Sequence, residues 1–222
     1  MKGQVSVDKT IKAIEKNKII VIVRGVEKEK LIPLVQAMYD GGIRLVECTY
    51  DASGNASDEE IAENIRVLSE HFGSEMLVGA GTVLTKKQVE LTQKAGGRFI
   101  ISPDTNTEVI AFTKQCGLVS IPGAITPTEV ATAHRAGADF VKLFPIDLYG
   151  PKYIKTLCAP LSNVRVLAVN GITADNMIDY LEAGASGVGV GSGIVNKNRI
   201  VENDFKAITE LAKGYTKKIK KW

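Results

Sequence analysis

Histidine and cysteine are scarce in this chain of 222 residues, which has two of the first and three of the second. The cysteines, Cys48, Cys116 and Cys158, lie far apart and form no C-x-x-C pair. Isolated thiols of this kind are typical of a reducing compartment, so we expect a cytoplasmic protein. Zinc chemistry and a Ser-His-Asp relay both need imidazoles at the site. Because His71 and His134 fall in predicted helices, away from the strand ends where we expect the active site, we expect no metal.

Long apolar runs and a strong net charge are also missing. No stretch approaches the length of a transmembrane helix, and the polar N-terminus through Asp8 lacks the apolar core of a signal peptide. The formal net charge of +3 is too small to indicate a nucleic-acid partner. The lysine-rich C-terminal tail is typical of the solvated face of a last helix. We therefore expect no nucleic-acid partner and no membrane association.

What the chain does have is a recurring pattern, in which a helical segment ends in glycine and a short apolar strand follows. Gly97, Gly117 and Gly137 mark three such units. Strands that are apolar on both faces and alternate with helices predict a parallel sheet covered on both sides. The predicted strands are residues 19–23, 44–48, 76–80, 99–101, 118–121, 139–141, 165–169 and 187–190.

Eight such units favour a closed (β/α)8 TIM barrel of the α/β class over an open doubly wound sheet. The open sheet would normally carry a G-x-G-x-x-G turn after its first strand, and Arg24-Gly25-Val26 is not one. We expect residues 1–222 to form a single domain. Residues 5–17 are predicted to form an extra N-terminal helix that covers the bottom of the barrel. Catalytic groups should then lie at the C-terminal ends of the strands.

Lys142 is the residue that most strongly suggests chemistry. Alternation along its strand places Phe140, Lys142 and Phe144 on the face that points into the barrel. Lysine is rarely buried without a partner, although one whose ammonium reaches solvent would give the same pattern. Glu47 sets a second charge inside an apolar strand. Two opposite charges in one barrel favour a catalytic pair over a structural salt bridge.

The glycine-rich end of the last strand, at Gly191 and Ser192, is typical of a phosphate site built from backbone N–H groups. Asn170 and Gly171 end the preceding strand and would supply the other half, although packing alone also tolerates glycine there. Arg24 closes the first strand and could bind a carboxylate, although an ordinary charge at the rim of the barrel would give the same pattern. Thr82 offers a hydroxyl beside a glycine-rich backbone.

An amine, a carboxylate, an arginine and a phosphate cradle together suit covalent amine catalysis on a phosphorylated keto acid, without a cofactor. Two other classes of function remain open at this point. A phosphosugar isomerase or epimerase could share the barrel and the phosphate site while using acid–base carboxylates alone. A non-catalytic relative could bind sugar acids without turning them over.

With these residues in place, the sequence resembles the 2-keto-3-deoxy-phosphosugar-acid aldolases, the KDPG/KHG aldolase family, over roughly residues 18–215. The motifs that carry the resemblance are Val46-Glu47, residues 79–84, residues 101–103, Pro122-Gly123 and residues 141–145. Residues 23–25 and 149–155 most resemble the 2-dehydro-3-deoxy-6-phosphogalactonate aldolase type. The gluconate type, the galactonate type and the 4-hydroxy-2-oxoglutarate aldolases all belong to this family.

The resemblance implies that Lys142 forms a Schiff base and that Glu47 moves protons. It implies that Arg24 and Thr82 hold the keto-acid end, and that the substrate also meets Phe144, Asn170, Gly171, Gly191 and Ser192. It also implies pyruvate and glyceraldehyde 3-phosphate as products and a homotrimer. The sequence departs from the family in the region that meets the substrate tail. Asp51 stands where the gluconate type has arginine, Asn170 stands where glycine is usual, and the loop of residues 51–57 is longer than usual.

Overall fold

The computed structural model describes residues 6–222 of the chain. Its strands are β1 (Ile19–Val23), β2 (Leu45–Thr49), β3 (Leu77–Gly81), β4 (Phe99–Ile101), β5 (Val119–Ile121), β6 (Gly123–Ala124), β7 (Val141–Leu143), β8 (Val166–Val169) and β9 (Gly187–Val190). Its helices are α1 (Val7–Asn17), α2 (Lys28–Asp40), α3 (Asp58–Phe72), α4 (Lys86–Lys94), α5 (Thr107–Gln115), α6 (Pro127–Arg135), α7 (Pro151–Cys158), α8 (Met177–Glu182), α9 (Lys197–Val201) and α10 (Phe205–Lys221).

The strands form one parallel sheet in the order β5-β4-β3-β2-β1-β9-β8-β7-β6. The two ends of this order, β5 and β6, are consecutive parts of one extended segment that is interrupted at Pro122, which has no backbone N–H. The N–H of Lys142 donates to the Pro122 carbonyl at 2.8 Å, so this segment is bonded on both sides and closes the barrel. Counted as one strand, β5 and β6 complete the predicted (β/α)8 barrel, which the structure confirms.

The predicted boundaries of the sixth strand, residues 139–141, were wrong by two residues, since β7 begins at Val141. The N–H groups of Asp139 and Phe140 both donate to the Ser120 carbonyl, at 3.0 and 3.2 Å. The Asp139 carboxylate in turn accepts the N–H of Ser120 and the ammonium of Lys114. Because the N–H groups of Asp139 and Phe140 are both bonded to the Ser120 carbonyl, the pairing of β7 with β8 begins only at Val141.

Two apolar layers surround the sheet. The outer layer packs the strands against the helices, and the inner layer fills the barrel below the site with side chains such as Phe99, Phe140 and Leu167. Ile14 of α1 is fully buried in this inner layer. The predicted N-terminal helix is therefore present and covers the N-terminal end of the barrel, although residue 5 of the predicted range lies outside the described residues.

The last helix, α10, buries Ile208, Ala212 and Tyr215 and leaves Lys217 and Lys220 exposed, as the tail pattern predicted. Among residues 6–222, no helix has both the length and the apolar character that crossing a membrane would require.

Candidate active site

A cavity of about 580 Å³ opens at the C-terminal ends of the strands. The structure brings together on its wall all nine residues that the sequence singled out for substrate or catalysis. They are Arg24, Glu47, Thr82, Lys142, Phe144, Asn170, Gly171, Gly191 and Ser192. These residues come from distant parts of the chain and meet because parallel strands of a barrel all end on one face.

Lys142 is the central residue of β7, and its side chain points into the barrel as the alternation predicted. Only 8% of the residue is exposed, and its Nζ lies 4.6 Å from the centre of the Phe144 ring. Burial lowers the pKa of this amine, because a low-dielectric surrounding disfavours the ammonium form. The carboxylate of Glu47 opposes that effect, and the positive charge of Arg24 adds to it.

Glu47 lies on β2 with 3% of its surface exposed, on the same face as Leu45 of the inner layer. Burial raises the pKa of this carboxyl from its usual 4.5 to about 6, although Lys142 and Arg24 pull the pKa down. The neighbouring strand leaves room for the carboxyl group, since a Cβ on Gly81 would collide with Oε1 of Glu47. A carboxyl group with a pKa near 6 can both give and take protons close to neutral pH.

Arg24 and Thr82 form one side of the cavity. Nη2 of Arg24 donates to Oγ1 of Thr82 over 3.0 Å. Thr82 has a backbone φ of 55°, in the left-handed region that β-branched residues rarely adopt. Strained backbone of this kind is concentrated at functional sites. A guanidinium and a hydroxyl held together in this way can bind a carboxylate.

The opposite side of the cavity is built from backbone. The N–H groups of Ile194 and Val195 donate to the Gly191 carbonyl at 3.0 and 2.9 Å, which forms a tight turn. Within residues 6–222, the N–H groups of Gly171, Ser192 and Gly193 donate to no protein acceptor. Unpaired backbone donors on glycine-rich turns can surround an anion such as a phosphate.

Several features of the site escaped the sequence reasoning. Thr173 lines the cavity although no motif pointed to it, whereas Pro103 and Gly193, which also line it, stood in motifs that drew attention, residues 101–103 and the glycine-rich end of the last strand. Asp51 does not line it. Both of its carboxylate oxygens accept bonds from its own loop, including the N–H groups of Ser53, Asn55 and Ala56.

Both histidines lie on helices, His71 on α3 and His134 on α6, as predicted. Among the described residues, no three His, Cys, Asp or Glu side chains cluster in a way that could hold a metal ion.

The family model for KDPG and KHG aldolase matches residues 10–211. The chain is 33% identical to the 2-dehydro-3-deoxy-6-phosphogalactonate aldolase of Escherichia coli (strain K12), over 89% of this chain and 94% of that protein. Among solved structures, the native KDPGal structure superposes with a TM-score of 0.81 at 32% identity, covering 90% of this chain and 92% of that one.

A second solved structure bears on the chemistry. The KDPG aldolase from Legionella pneumophila was solved with pyruvate captured at low pH as a covalent carbinolamine intermediate. It superposes with a TM-score of 0.83 at 26% identity, covering 96% of this chain and 99% of that one.

Replacing Glu47 by glutamine is expected to stabilise the fold in a pH-dependent way. The raised pKa means that the folded state disfavours the ionised carboxylate, so the penalty is absent below about pH 4.5 and complete above about pH 6. The gain should reach roughly 2 kcal/mol at pH 8, from about 1.36 kcal/mol per pKa unit. Urea unfolding of the wild type and of Glu47→Gln at pH 4.5 and pH 8 measures this difference in the free energy of unfolding.

Glu29→Gln, at an exposed carboxylate of α2, is the matched control and should leave the free energy of unfolding nearly unchanged. A Glu47→Gln variant that is less stable than the wild type at pH 8 would contradict this account of the buried carboxyl group.

Proposed function

The chain belongs to the KDPG and KHG aldolase family, and on that premise we propose that it cleaves a 2-keto-3-deoxy-6-phospho sugar acid. The products are pyruvate and glyceraldehyde 3-phosphate, and the substrate is of the phosphogluconate or phosphogalactonate type. Members of the family are aldolases, so the chain is a carbon–carbon lyase. Lys142 is proposed as the Schiff-base residue and Glu47 as the proton shuttle.

The observation that carries the proposal is the pair of oppositely charged groups inside one barrel. Lys142 and Glu47 are both almost completely buried and line the same cavity. The shifts in their pKa values, downward for the amine and upward for the carboxyl, bring both groups closer to neutral pH. A nucleophilic amine must be unprotonated, and a shuttle must change protonation state within each turnover.

The first half of the reaction makes the covalent intermediate. The neutral Nζ of Lys142 attacks the 2-keto carbon, and the carbonyl oxygen takes a proton from Glu47 to give a carbinolamine. Glu47 then carries one proton from the nitrogen to that hydroxyl group, which leaves as water, and a positively charged iminium remains. The iminium then accepts electrons from the carbon chain, which the original ketone does far less well.

The second half breaks the carbon–carbon bond. Glu47 removes the proton of the C4 hydroxyl, the C3–C4 electron pair moves toward the iminium nitrogen, and the aldehyde leaves. The remaining enamine takes a proton at C3, and water hydrolyses the iminium to release pyruvate and regenerate the amine. In this scheme the carboxyl group acts alternately as acid and base, which its pKa near 6 suits.

The two sides of the cavity divide the work of binding. Arg24, with Thr82, is proposed to hold the keto-acid carboxylate through charge-assisted bonds. Phe144 presents an apolar ring to the reacting carbons beside Lys142. The turns at Gly171 and at Gly191 and Ser192 are proposed to bind the phosphate end of the substrate through the unpaired N–H groups of Gly171, Ser192 and Gly193, together with the side chain of Asn170.

Treatment with pyruvate and borohydride should fix a stable pyruvate-derived adduct on the Lys142 peptide, because borohydride reduces the iminium to a secondary amine. Peptide mass spectrometry locates the adduct. Lys142→Arg should carry none, whereas Lys152→Arg, at an exposed lysine of α7, should be labelled like the wild type. An adduct on another lysine, or none at all, would overturn the Schiff-base proposal.

A panel of substrates tests which acid is cleaved. It contains both C4 epimers of the 2-keto-3-deoxy-6-phospho acids, their unphosphorylated forms and 4-hydroxy-2-oxoglutarate, with pyruvate release coupled to lactate dehydrogenase. We expect cleavage of a phosphorylated acid with a KM at least about tenfold lower than that of its unphosphorylated form, since several backbone donors face the distal end. An isomerase or a binding protein would release no pyruvate from any member of the panel.

We also propose that the chain is a cytoplasmic homotrimer. The family resemblance implies a trimer, and Leu148 and Tyr149 expose 75% and 50% of their surface beside the active face. Apolar groups exposed together in this way are typical of an interface. The three cysteines are unpaired thiols, which suits a reducing cytoplasm.

Light scattering in solution should give three times the 23.9 kDa mass of one chain. Leu148→Glu should lower that mass, because a buried charge at the interface is costly. Val201→Glu is the control, at an equally exposed apolar residue of α9, and should stay trimeric. A monomeric wild type would reject the assembly, and a trimeric Leu148→Glu would reject this location for it.

A further inference from the structure

The loops that follow β7 and β8 are tied together at the distal end of the cavity. Nδ2 of Asn170 donates to Oδ1 of Asp147 over 2.6 Å. The backbone supports the same junction, since the N–H of Ile146 donates to the Val169 carbonyl at 3.1 Å. Asp147 does not line the cavity, but Asn170 and Gly171 do. The Asp147 carboxylate can therefore affect the cavity only through the turn at residues 170–171, to which it is bonded.

That turn has an unusual backbone. Asn170 has a φ of 88° and Gly171 a φ of 68°, so two consecutive residues lie in the left-handed region. Glycine reaches this region freely, and asparagine is among the few other residues that tolerate it. The conformation at Asn170 is thus allowed but not strongly preferred, and the bond to Asp147 is the contact that fixes its side chain.

Packing confirms that Asp147 lies directly against the turn. A Cβ placed on Gly171 would collide with Cβ of Asp147 and come within 3.2 Å of its Oδ2. The side chain of Asp147 thus both accepts a bond from residue 170 and occupies the space beside residue 171. A second side chain is also bonded to the turn, since Nδ2 of Asn176 donates to the Gly171 carbonyl over 2.9 Å.

We propose that Asp147 is a positioning residue for the distal subsite. Through Asn170 it holds the turn of residues 170–171 so that the unpaired N–H of Gly171 and the side chain of Asn170 meet the distal end of the substrate. It thereby offsets the backbone strain that asparagine meets at a positive φ and that glycine at position 170 would not have. The inference rests on the proposed aldolase function, because it assigns a role within the same cavity.

Asp147→Ala should raise the KM for the phosphorylated acid about three- to tenfold, which is the change expected when one hydrogen bond is lost. The kcat should stay nearly unchanged. Asp147→Asn should behave almost like the wild type, because its side-chain carbonyl can accept the same bond. The control is Asp175→Ala, which removes an exposed carboxylate from the loop between β8 and α8, bonded to Lys218 at 2.7 Å. Its kinetics should match the wild type.

A second readout separates the distal subsite from the catalytic pair. Exchange of the pyruvate methyl hydrogens with deuterated water requires the Schiff base and the proton shuttle but no distal contact. Asp147→Ala should therefore exchange pyruvate at the wild-type rate while its KM for the full substrate rises. A variant that lost both activities to the same degree would show that Asp147 merely supports the fold, and the proposal would be wrong.

Asn170→Gly supplies the sharpest test. Glycine adopts a positive φ without help, so adding Asp147→Ala in this background should change KM less than about twofold. If Asp147→Ala raises KM as much in the Asn170→Gly background as in the wild type, or raises it in neither, the proposed coupling between Asp147 and Asn170 does not exist. Failure of the aldolase proposal looks different, since the wild type itself would then neither exchange pyruvate nor release it.

Discussion

The burial of one amine and one carboxyl group in the same apolar barrel is the constraint on which the rest of the site depends. Desolvation works against the charged form of each group, and the attraction between the two charges restores only part of what burial removes. The amine of Lys142 therefore holds its proton less tightly than usual and the carboxyl group of Glu47 holds its proton more tightly, so both pKa values move toward neutral pH. A salt bridge with a purely structural role would gain little stability when desolvation outweighs the attraction between its charges. Covalent amine catalysis, in contrast, requires an amine that can lose its proton near neutral pH.

The barrel makes this arrangement possible by separating two tasks. The inner apolar layer below Lys142, closed by Ile14 of α1, supplies stability and keeps water from entering beneath the site. Above it, small residues leave room for the functional groups. Gly81 leaves space for the carboxyl of Glu47, whereas Gly79 leaves space for the ring of Phe99 within the inner layer. Stability and chemistry thus occupy different levels of the same strands.

Much of this could be predicted from the sequence because the informative features are periodic. Alternation placed Lys142 and Glu47 inside the barrel, and the glycine-ended units gave the strand count. The break of one strand at Pro122 and the late start of β7 at Val141 could not be predicted. Both depend on which carbonyl accepts a given N–H, as with the bonds to the Ser120 carbonyl, and no local pattern encodes that choice.

Asp51 illustrates the same limit at the site. The family resemblance placed Asp51, which stands where the gluconate type has arginine, in the region that meets the substrate tail. The structure instead engages its carboxylate with three backbone N–H groups and the hydroxyl of Ser53 in its own loop, and these bonds lower its pKa to about 2. A carboxylate already bonded in this way is a poor partner for a ligand. Any influence of Asp51 on substrate choice is therefore exerted through the shape of the loop, residues 51–57. The same reasoning applies to Asp147, which shapes a turn and does not line the cavity.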